Sequence, residues 1–271
     1  MADGVRADVA LAARGLARSR TEAAALVRAG EALLDGRPIR RPSQPVPDGA
    51  RLTLADTGPR YVSRAAHKLV GALEAFPVTV EGRRALDAGA STGGFTQVLL
   101  ERGADEVVAV DVGHGQLADA VRFDPRVQVH EGLNVRDLTT VHTGGPVDLV
   151  VSDLSFISLR LVLGSLARVC RPGADLLLMV KPQFEVGRAA LPRTGVVVDP
   201  KARRQAVLGV VEEALALDLV VQGVARSGLP GQDGNVEFFL HLRTAAPAPA
   251  GLAPSAERAV DLLESARVDW T

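Results

Sequence analysis

The chain has 271 residues, a net charge of −1, 47% apolar and 23% charged side chains, a balance that is typical of a folded globular protein and excludes a disordered or fibrous class. Its apolar stretches are too short for a transmembrane helix, its N-terminal segment lacks the apolar core of a secretory signal, and its single cysteine excludes an internal disulfide framework or a zinc site with several thiolates. We therefore expect a cytoplasmic protein with no membrane partner.

Charge is unevenly distributed along the chain. Residues 1–60 hold ten arginines against seven acidic residues, whereas the remainder has a net charge of −4. The planar guanidinium of arginine binds phosphate oxygens in pairs, which favours an RNA contact in this first segment. An excess of three positive charges is also compatible with a solvated arginine-rich face.

Residues 1–56 are predicted to form a small α+β domain. Ser19-Arg-Thr-Glu22 has the spacing of a capping box, and the helix that follows should end at Gly30. Asp35-Gly36 between two short apolar runs predicts a β-hairpin, and a strand over 51–54 closes the unit. Residues 57–62 are interpreted as an interdomain linker.

Residues 63–244 are predicted to form an α/β domain. A helix begins at Ser63 and places Leu69, Leu73 and Phe76 on one face before Pro77 ends it. Strands then alternate with helices, the strands at 85–89, 106–112, 127–129, 147–153, 176–182, 220–225 and 235–242 and the helices at 94–102, 158–170 and 199–217. This alternation predicts a mostly parallel, Rossmann-like sheet of seven strands with helices on both faces. Residues 245–271 read as a Pro/Ala-rich tether and a tail that could hold one more helix.

A glycine-rich turn follows the first of these strands, in Asp87-Ala-Gly-Ala-Ser-Thr-Gly-Gly-Phe95. Its spacing differs from that of dinucleotide-binding loops and suits S-adenosylmethionine, which has no pyrophosphate to cradle. The alternative is a tight strand-to-helix turn without a ligand. We assign cofactor contacts to this turn and to the end of the next strand, namely Asp87, Gly89, Ala90, Ser91, Thr92, Gly93, Gly94, Phe95, Asp111 and Val112, with Asp111 placed to bind ribose hydroxyls.

Lysine is rare in this chain, which has 28 arginines and only three lysines. Lys181 ends an apolar strand, where an arginine would supply charge but could not lose its proton and act as a base. Asp153 ends another strand. Glu237 lies between apolar residues, where a glutamate is expected to have a partner rather than to be merely solvated. Each alone could form a structural ion pair, but with Lys68 the set is better explained as a catalytic site.

Motifs along residues 5–243 together resemble the TlyA-type rRNA 2'-O-methyltransferases, a family historically called haemolysins. Those motifs are Arg6-Ala-Asp-Val-Ala-Leu, Gly15-Leu-Ala-Arg-Ser-Arg20, Tyr61-Val-Ser-Arg-Ala-Ala-His-Lys68-Leu69, Asp87 to Phe95, Ala109-Val-Asp-Val-Gly113, Ser152-Asp-Leu-Ser-Phe-Ile-Ser158, Val180-Lys-Pro-Gln-Phe-Glu185 and Gly234-Asn-Val-Glu-Phe-Phe-Leu240.

The resemblance implies an N-terminal S-four RNA-binding domain and an FtsJ-like methyltransferase domain with a Lys-Asp-Lys-Glu tetrad. The tetrad maps onto Lys68, Asp153, Lys181 and Glu237, and further cofactor contacts map onto Asn134, Val135 and Asp153. It also implies a cytidine in small-subunit rRNA, large-subunit rRNA or both, within ribosomal subunits. Departures from the family pattern include Ala65-Ala66 in place of Gly-Gly and Gly228-Leu-Pro-Gly-Gln-Asp-Gly234 in place of Ser-Pro-Ile-x-Gly-Pro-x-Gly.

RNA contacts are assigned to arginines of the first segment and to one beside the tetrad lysine, namely Arg6, Arg14, Arg18, Arg20, Arg28 and Arg64. The five histidines have no metal-ligand spacing, so no metal is expected. No obligate protein partner is expected.

The expected reaction is attack of a ribose 2'-oxygen on the sulfonium methyl, with Lys181 as the base, Asp153 and Glu237 orienting it, and Lys68 steadying the oxygen. A base methyltransferase is disfavoured, because Cys170 is better explained as a buried hydrophobe and Ser152-Asp-Leu-Ser-Phe156 is not an amino-methyltransferase motif. A non-catalytic RNA-binding protein is a second alternative, against which the intact tetrad argues. A membrane-lytic haemolysin is a third, which no cationic amphipathic segment supports.

Overall fold

The computed structural model describes residues 4–17, 19–28, 30–55, 61–187, 190–231, 233–245 and 268–271. The chain divides into two units, residues 1–60 and residues 61–271, each with its own apolar core. The predicted linker, 57–62, includes the point of division. Arg18 and nearly all of the predicted tether and tail lie outside the described residues.

The small unit combines two helices with short strands. Its elements are β1 (Val5–Arg6), α1 (Ala7–Ala13), α2 (Arg20–Arg28), β2 (Ala32–Leu34), β3 (Arg37–Pro38), β4 (Pro45–Val46) and β5 (Leu52–Leu54). Strand β1 pairs with β4, and β3, β2 and β5 form a three-stranded sheet. The predicted cap and hairpin are confirmed: the N–H of Glu22 donates to Ser19 Oγ at 3.2 Å, and Asp35 and Gly36 both have positive φ between β2 and β3.

The large unit contains the predicted seven-stranded sheet. Its strands are β6 (Arg84–Ala88), β7 (Glu106–Asp111), β8 (Val127–Glu131), β9 (Val147–Ser152), β10 (Cys170–Val180), β11 (Val220–Arg226) and β12 (Phe238–Arg243). The strand order is β11-β12-β10-β9-β6-β7-β8. Strand β12 runs antiparallel to both of its neighbours, β11 and β10, and the other pairings between neighbouring strands of this sheet are parallel. The predicted fold class, a mostly parallel Rossmann-like sheet preceded by a small α+β domain, is confirmed.

Helices cover both faces of this sheet because successive strand residues point to opposite sides. They are α3 (Ala66–Ala75), α4 (Gly94–Glu101), α5 (Asp119–Arg122), α6 (Leu163–Arg168), α7 (Pro182–Glu185) and α8 (Pro200–Ala216), with short 3-10 turns at Val135–Asp137 and Leu159–Leu161. Leu86 packs in the apolar cluster that contains α6 and α8, whereas its neighbour Ala85 packs with α3 and α4. Each face of the sheet is therefore buried.

Two predicted boundaries near the sheet were wrong. Strand β10 begins at Cys170 rather than at residue 176, because the chain passes through Pro172 and Gly173 in a bulged register and continues as the same strand. Strand β12 begins at Phe238 rather than at residue 235, because the Asn235 side chain is bonded to another loop, accepting from the N–H of Val197 and donating to the Gly195 carbonyl.

The last four residues, Val268–Thr271, are not helical. Trp270 packs on Phe238 with ring centroids 4.9 Å apart. The buried guanidinium of Arg203 donates to the Trp270 carbonyl at 2.9 Å. This segment therefore covers the start of β12 within the large unit.

Candidate active site

Three of the four tetrad residues lie at one edge of the large sheet. Asp153 directly follows β9, Lys181 follows β10, and Glu237 directly precedes β12. Val180 pairs with Phe238 across the antiparallel β10–β12 junction, so Lys181 and Glu237 leave adjacent strands at the same end. Lys68 reaches this edge from the first turn of α3.

The four side chains form a continuous chain of ion pairs. Lys181 Nζ lies 2.6 Å from Asp153 Oδ1, and the other oxygen of Asp153 lies 3.7 Å from Lys68 Nζ. Lys68 Nζ in turn donates to Glu237 Oε2 at 2.6 Å. Asp153 therefore joins the two lysines, and the structure brings together all four residues that the sequence analysis selected.

Burial makes these contacts costly to break. Lys68, Lys181 and Glu237 are each less than a tenth exposed, and removal of one partner would leave a charge without compensation in a region that water scarcely reaches. Lys181 Nζ also donates to Ser155 Oγ at 2.9 Å. Both amines are thus held in fixed positions rather than sweeping through solvent.

A cavity of about 820 Å³ lies beside the tetrad, with Asp153 in its wall. Of the residues predicted to bind a cofactor, those that line it are Gly89, Ser91, Asp111, Val112, Asn134, Val135 and Asp153. Its volume is within the usual range of small-molecule sites. A bound molecule would therefore sit within reach of one carboxylate of the tetrad.

Asp111 organises one end of this cavity. Its two carboxylate oxygens accept the backbone N–H groups of Ser91, at 2.8 Å, and Gly113, at 2.7 Å. Ser91 itself adopts a left-handed backbone conformation, with φ at +47°. Asp111, at the end of β7, thus fixes the glycine-rich turn after β6 through a hydrogen bond.

Gly89 allows the turns after β6 and β9 to approach each other closely. It has a φ of +89°, and a Cβ there would lie 3.0 Å from the Asp153 carbonyl oxygen and 3.1 Å from Leu154 Cδ2. Any side chain at this position would push the backbone of Asp153 and the side chain of Leu154 away from the turn after β6, and the Asp153 carboxylate would move with that backbone.

The other residues assigned to the cofactor do not line the cavity, namely Asp87, Ala90, Thr92, Gly93, Gly94 and Phe95. Asp87 is fully buried behind the turn, where it accepts a hydrogen bond from Thr96 Oγ1 at 2.7 Å, and burial raises the pKa of its carboxyl to about 7. Phe95 stacks on Phe239. A Cβ on Gly93 would lie 2.9 Å from Leu117 Cδ1, so this glycine serves packing.

The sequence analysis missed one wall of the cavity, which runs from Leu154 to Val162 and is joined by Phe184. Phe156 in this wall is 92% exposed, has a φ of +63°, and lies with its ring centroid 5.4 Å from that of Phe184. The sequence signal that could have identified this wall is its position directly after strand β9, at the edge of the sheet where ligands bind.

Glu185, also missed, anchors this wall from behind. Its buried carboxylate accepts hydrogen bonds from Ser158 Oγ and from the N–H of Leu159, both at 2.6 Å, and from Arg160 Nε at 3.4 Å. Since Glu185 ends the short helix that starts after Lys181, it connects the cavity wall to the strand end that carries Lys181.

The arginines predicted to bind RNA are mostly exposed. In the small unit, Asp8 accepts hydrogen bonds from Arg6 Nε, at 3.0 Å, and Arg20 Nη2, at 3.3 Å. These bonds, above all that from Arg6, lower the pKa of the Asp8 carboxyl to about 2. Arg14 Nη1 donates to the Ala50 carbonyl at 2.7 Å, and Arg28 ends α2.

Arg64 belongs to the large unit, where it precedes α3 and donates to the Pro230 carbonyl at 3.2 Å. It is exposed. Its contact joins the helix that carries Lys68 to the loop before Glu237.

Neither a metal site nor a membrane span is found in the part of the chain that the structure describes. No group of three or more His, Cys, Asp or Glu side chains there could hold a metal ion. No described helix is both long and apolar enough to cross a bilayer.

Comparison with known proteins matches both units to families. The FtsJ-like methyltransferase family matches residues 61–244, and the S4 domain family matches residues 5–52. The chain is 53% identical, over 96% of its length and 98% of the relative, to the 16S/23S rRNA (cytidine-2'-O)-methyltransferase TlyA of Mycobacterium tuberculosis. It is 30% identical, over 88% of its length and 99% of the relative, to Hemolysin A of Brachyspira hyodysenteriae.

A solved structure matches nearly the whole chain as well. It is a Streptococcus thermophilus protein described as a hemolysin, with a TM-score of 0.69, 34% identity and 98% of each chain covered. The similarity therefore extends across both units of the chain.

Proposed function

Since this chain belongs to the TlyA family of FtsJ-like methyltransferases, we propose that it methylates ribose 2'-hydroxyls of ribosomal RNA, with S-adenosylmethionine as the methyl donor. The observation that carries the proposal is the chain of ion pairs from Lys181 through Asp153 and Lys68 to Glu237 beside the large cavity. Two amines and two carboxylates in contact can accept a proton from a hydroxyl and redistribute the charge that results.

The cavity suits S-adenosylmethionine in shape and charge. Gly89 keeps the turns after β6 and β9 close, Asp111 offers carboxylate oxygens to ribose hydroxyls, and Asp153 offers negative charge to a sulfonium. When bound, this cofactor supplies an electrophilic methyl group. Gly89, Ser91, Asp111, Val112, Asn134, Val135 and Asp153 are the predicted residues that would hold it.

Lys181, as the neutral amine, is the proposed proton acceptor. A ribose hydroxyl is a weak nucleophile until a neighbouring base takes its proton, and such proton transfer contributes about 10²–10⁴-fold to a rate. Asp153, 2.6 Å from Lys181 Nζ, stabilises the ammonium that forms. Lys68 is held by Glu237 and also faces the Asp153 carboxylate. Its positive charge stabilises the negative charge that develops on the ribose oxygen.

The substrate is proposed to be a cytidine of ribosomal RNA, the nucleotide in the name of the M. tuberculosis relative, and we further propose that it is methylated within assembled subunits. The S4 domain at residues 5–52 supports an RNA substrate, and its exposed arginines supply charge for phosphate contacts. An enzyme acting on ribosomes works in the cytoplasm, where we place this protein.

The competing function, membrane lysis, rests on the word hemolysin in the names of relatives. A non-catalytic RNA-binding role would not require three buried ionisable groups in contact with Asp153, since burying charges costs free energy that a neutral core avoids.

The test is ribose mapping of 30S and 50S subunits lacking the modification, incubated with S-adenosylmethionine and the purified protein. Mass spectrometry should find 2'-O-methylcytidine with wild type. Lys181→Ala should lower the rate by at least about 100-fold. Lys201→Ala is the matched control, because Lys201 is exposed at the start of α8 and should remain active. Transfer to a base, or full activity of Lys181→Ala, contradicts the proposal.

A further inference from the structure

Gly231 lies in the loop that joins β11 to β12 and folds back on Glu237. Its N–H donates to the Asn235 carbonyl at 2.8 Å, and the N–H of Ser227 donates to the Glu237 carbonyl at 2.8 Å. Gly231 is itself buried. The loop therefore encloses the backbone of the residue that supplies the last carboxylate of the tetrad.

A side chain at Gly231 would collide with that carboxylate. A Cβ built there lies 2.6 Å from Glu237 Oε1 and 3.2 Å from its carboxyl carbon. The backbone itself does not require glycine, because Gly231 is not among the residues with positive φ. What excludes a larger residue is thus the position of the Glu237 carboxylate.

The opposite oxygen of the same carboxylate holds Lys68 at 2.6 Å. Glu237 is 2% exposed, so its carboxylate has little room for another arrangement. From this geometry we propose that Gly231 is a positioning residue for methyl transfer: the space left by its missing side chain places the Glu237 carboxylate against Lys68. The inference rests on the proposed function of the tetrad.

The expected damage is to the site rather than to the fold. A carboxylate is the end of a flexible side chain, so it can swing away from an added methyl group while the backbone stays in place. That swing, however, lengthens the contact between Glu237 Oε2 and Lys68 Nζ. A displacement of about 1 Å in a catalytic constellation can cost about 10²-fold in rate.

The same loop offers a matched control at Gly228. This glycine has no positive φ, and a Cβ on it would meet no atom of the described residues within 4 Å. Gly234 is unsuitable, because its φ of +85° would strain any other residue.

The experiment compares Gly231→Ala with Gly228→Ala in single-turnover methylation of ribosomal subunits, with donor affinity measured by calorimetry and thermal unfolding recorded. We expect Gly231→Ala to lower the single-turnover rate at least about ten-fold. Its donor Kd should stay within about two-fold of wild type, because Gly231 does not line the cavity. Gly228→Ala should match wild type. Equal rates for the two variants overturn the inference.

A double-mutant cycle identifies the route of the effect. In a Glu237→Ala background there is no carboxylate to displace, so adding Gly231→Ala should change the residual rate by less than about two-fold. An undiminished penalty in that background shows that Gly231 acts elsewhere, and it overturns the inference.

A crystal structure of Gly231→Ala tests the inference even if wild type transfers no methyl group. The separation of Lys68 Nζ and Glu237 Oε2 should increase from 2.6 Å to beyond hydrogen-bonding distance. An unchanged separation rejects the positioning role, whereas an inactive wild type with the expected displacement rejects only the proposed function.

Discussion

Asp153 bridges the two lysines of the site, with Oδ1 2.6 Å from Lys181 Nζ and Oδ2 3.7 Å from Lys68 Nζ. One carboxylate thus serves two amines that are 113 positions apart in the chain. Its side chain also lines the cavity, so Asp153 is the link between the proposed donor site and the proton-accepting group.

Asp153→Asn should lower the methylation rate by at least about 100-fold, because an amide cannot compensate an ammonium on either side. Single-turnover kinetics on ribosomal subunits would measure this loss. Asp148→Asn serves as control, since Asp148 lies on β9 too but pairs with the exposed Arg171. Equal losses in the two variants would contradict a specific role for Asp153.

Asp111→Ala should weaken binding of S-adenosylmethionine rather than slow the chemical step. The variant removes both the carboxylate assigned to ribose hydroxyls and the acceptor that fixes the Ser91 and Gly113 N–H groups. Loss of a charge-assisted hydrogen bond of about 1.5–3 kcal/mol corresponds to a roughly 10- to 100-fold increase in Kd. Calorimetric titration with the donor measures it, and an unchanged Kd would place the cofactor elsewhere.

Glu185→Gln should disturb the cavity wall without touching the tetrad. An amide keeps the shape but loses the negative charge and replaces one acceptor oxygen with a donor, so only one of the bonds from Ser158 Oγ and the Leu159 N–H can keep its present direction. We expect weaker donor binding and a lower rate, measured in the same calorimetric and single-turnover assays. Arg160→Met controls for loss of the peripheral bond at 3.4 Å, and its effect should be smaller.

Asp87 should make stability depend on pH. Burial raises the pKa of its carboxyl to about 7 in the folded protein, above the value of about 3.9 in an unfolded chain. Between these values the folded state binds more protons than the unfolded state, so this contribution to stability is present at low pH and is lost as the pH rises through about 7.

Asp87→Asn should remove that contribution while keeping an acceptor for Thr96 Oγ1. Urea unfolding at several pH values between about 4 and 8 measures it. The free energy of unfolding of wild type minus that of Asp87→Asn should decrease as the pH rises. A difference that is constant over this range would show that Asp87 is ionised throughout.

Arg20→Gln should weaken RNA binding and reduce its salt dependence. Arg20 is exposed and is oriented by Asp8, so its guanidinium is available for a phosphate. Loss of one phosphate contact should reduce the slope of log K against log salt by about 0.7–0.9. Filter binding across a salt series measures the slope, with Arg171→Gln in the large unit as control. An unchanged slope for Arg20→Gln would move the RNA contact to another face.

Several features could be predicted from the sequence. They are the alternation of strands and helices, the glycine turn after β6, and the acid and the amine that follow two strands, Asp153 and Lys181. Each is local, because side-chain periodicity and turn residues act over a few positions. For the same reason Asp153 and Lys181 could be placed at one edge of a parallel sheet without coordinates, since parallel strands end together there.

Strand β10 shows where local signals mislead. Pro172 and Gly173 indicate a turn, yet the chain remains in the sheet because pairing with β9 resumes after a bulge. The glycines of the turn after β6 are a second example, since their spacing suggested ligand contact throughout, whereas Gly93 is required by Leu117 and Val121.

The amino-acid sequence by itself determined the class of fold and the residues able to carry the chemistry, because periodicity, turn residues and the rarity of lysine are properties of neighbouring positions and of composition. Only the tertiary structure decided that Lys68 meets Glu237 across 169 positions, that Glu185 supports the cavity wall, and that Gly231 leaves room for a carboxylate. Those relationships depend on distances between side chains from separate elements, which packing sets and no local pattern encodes.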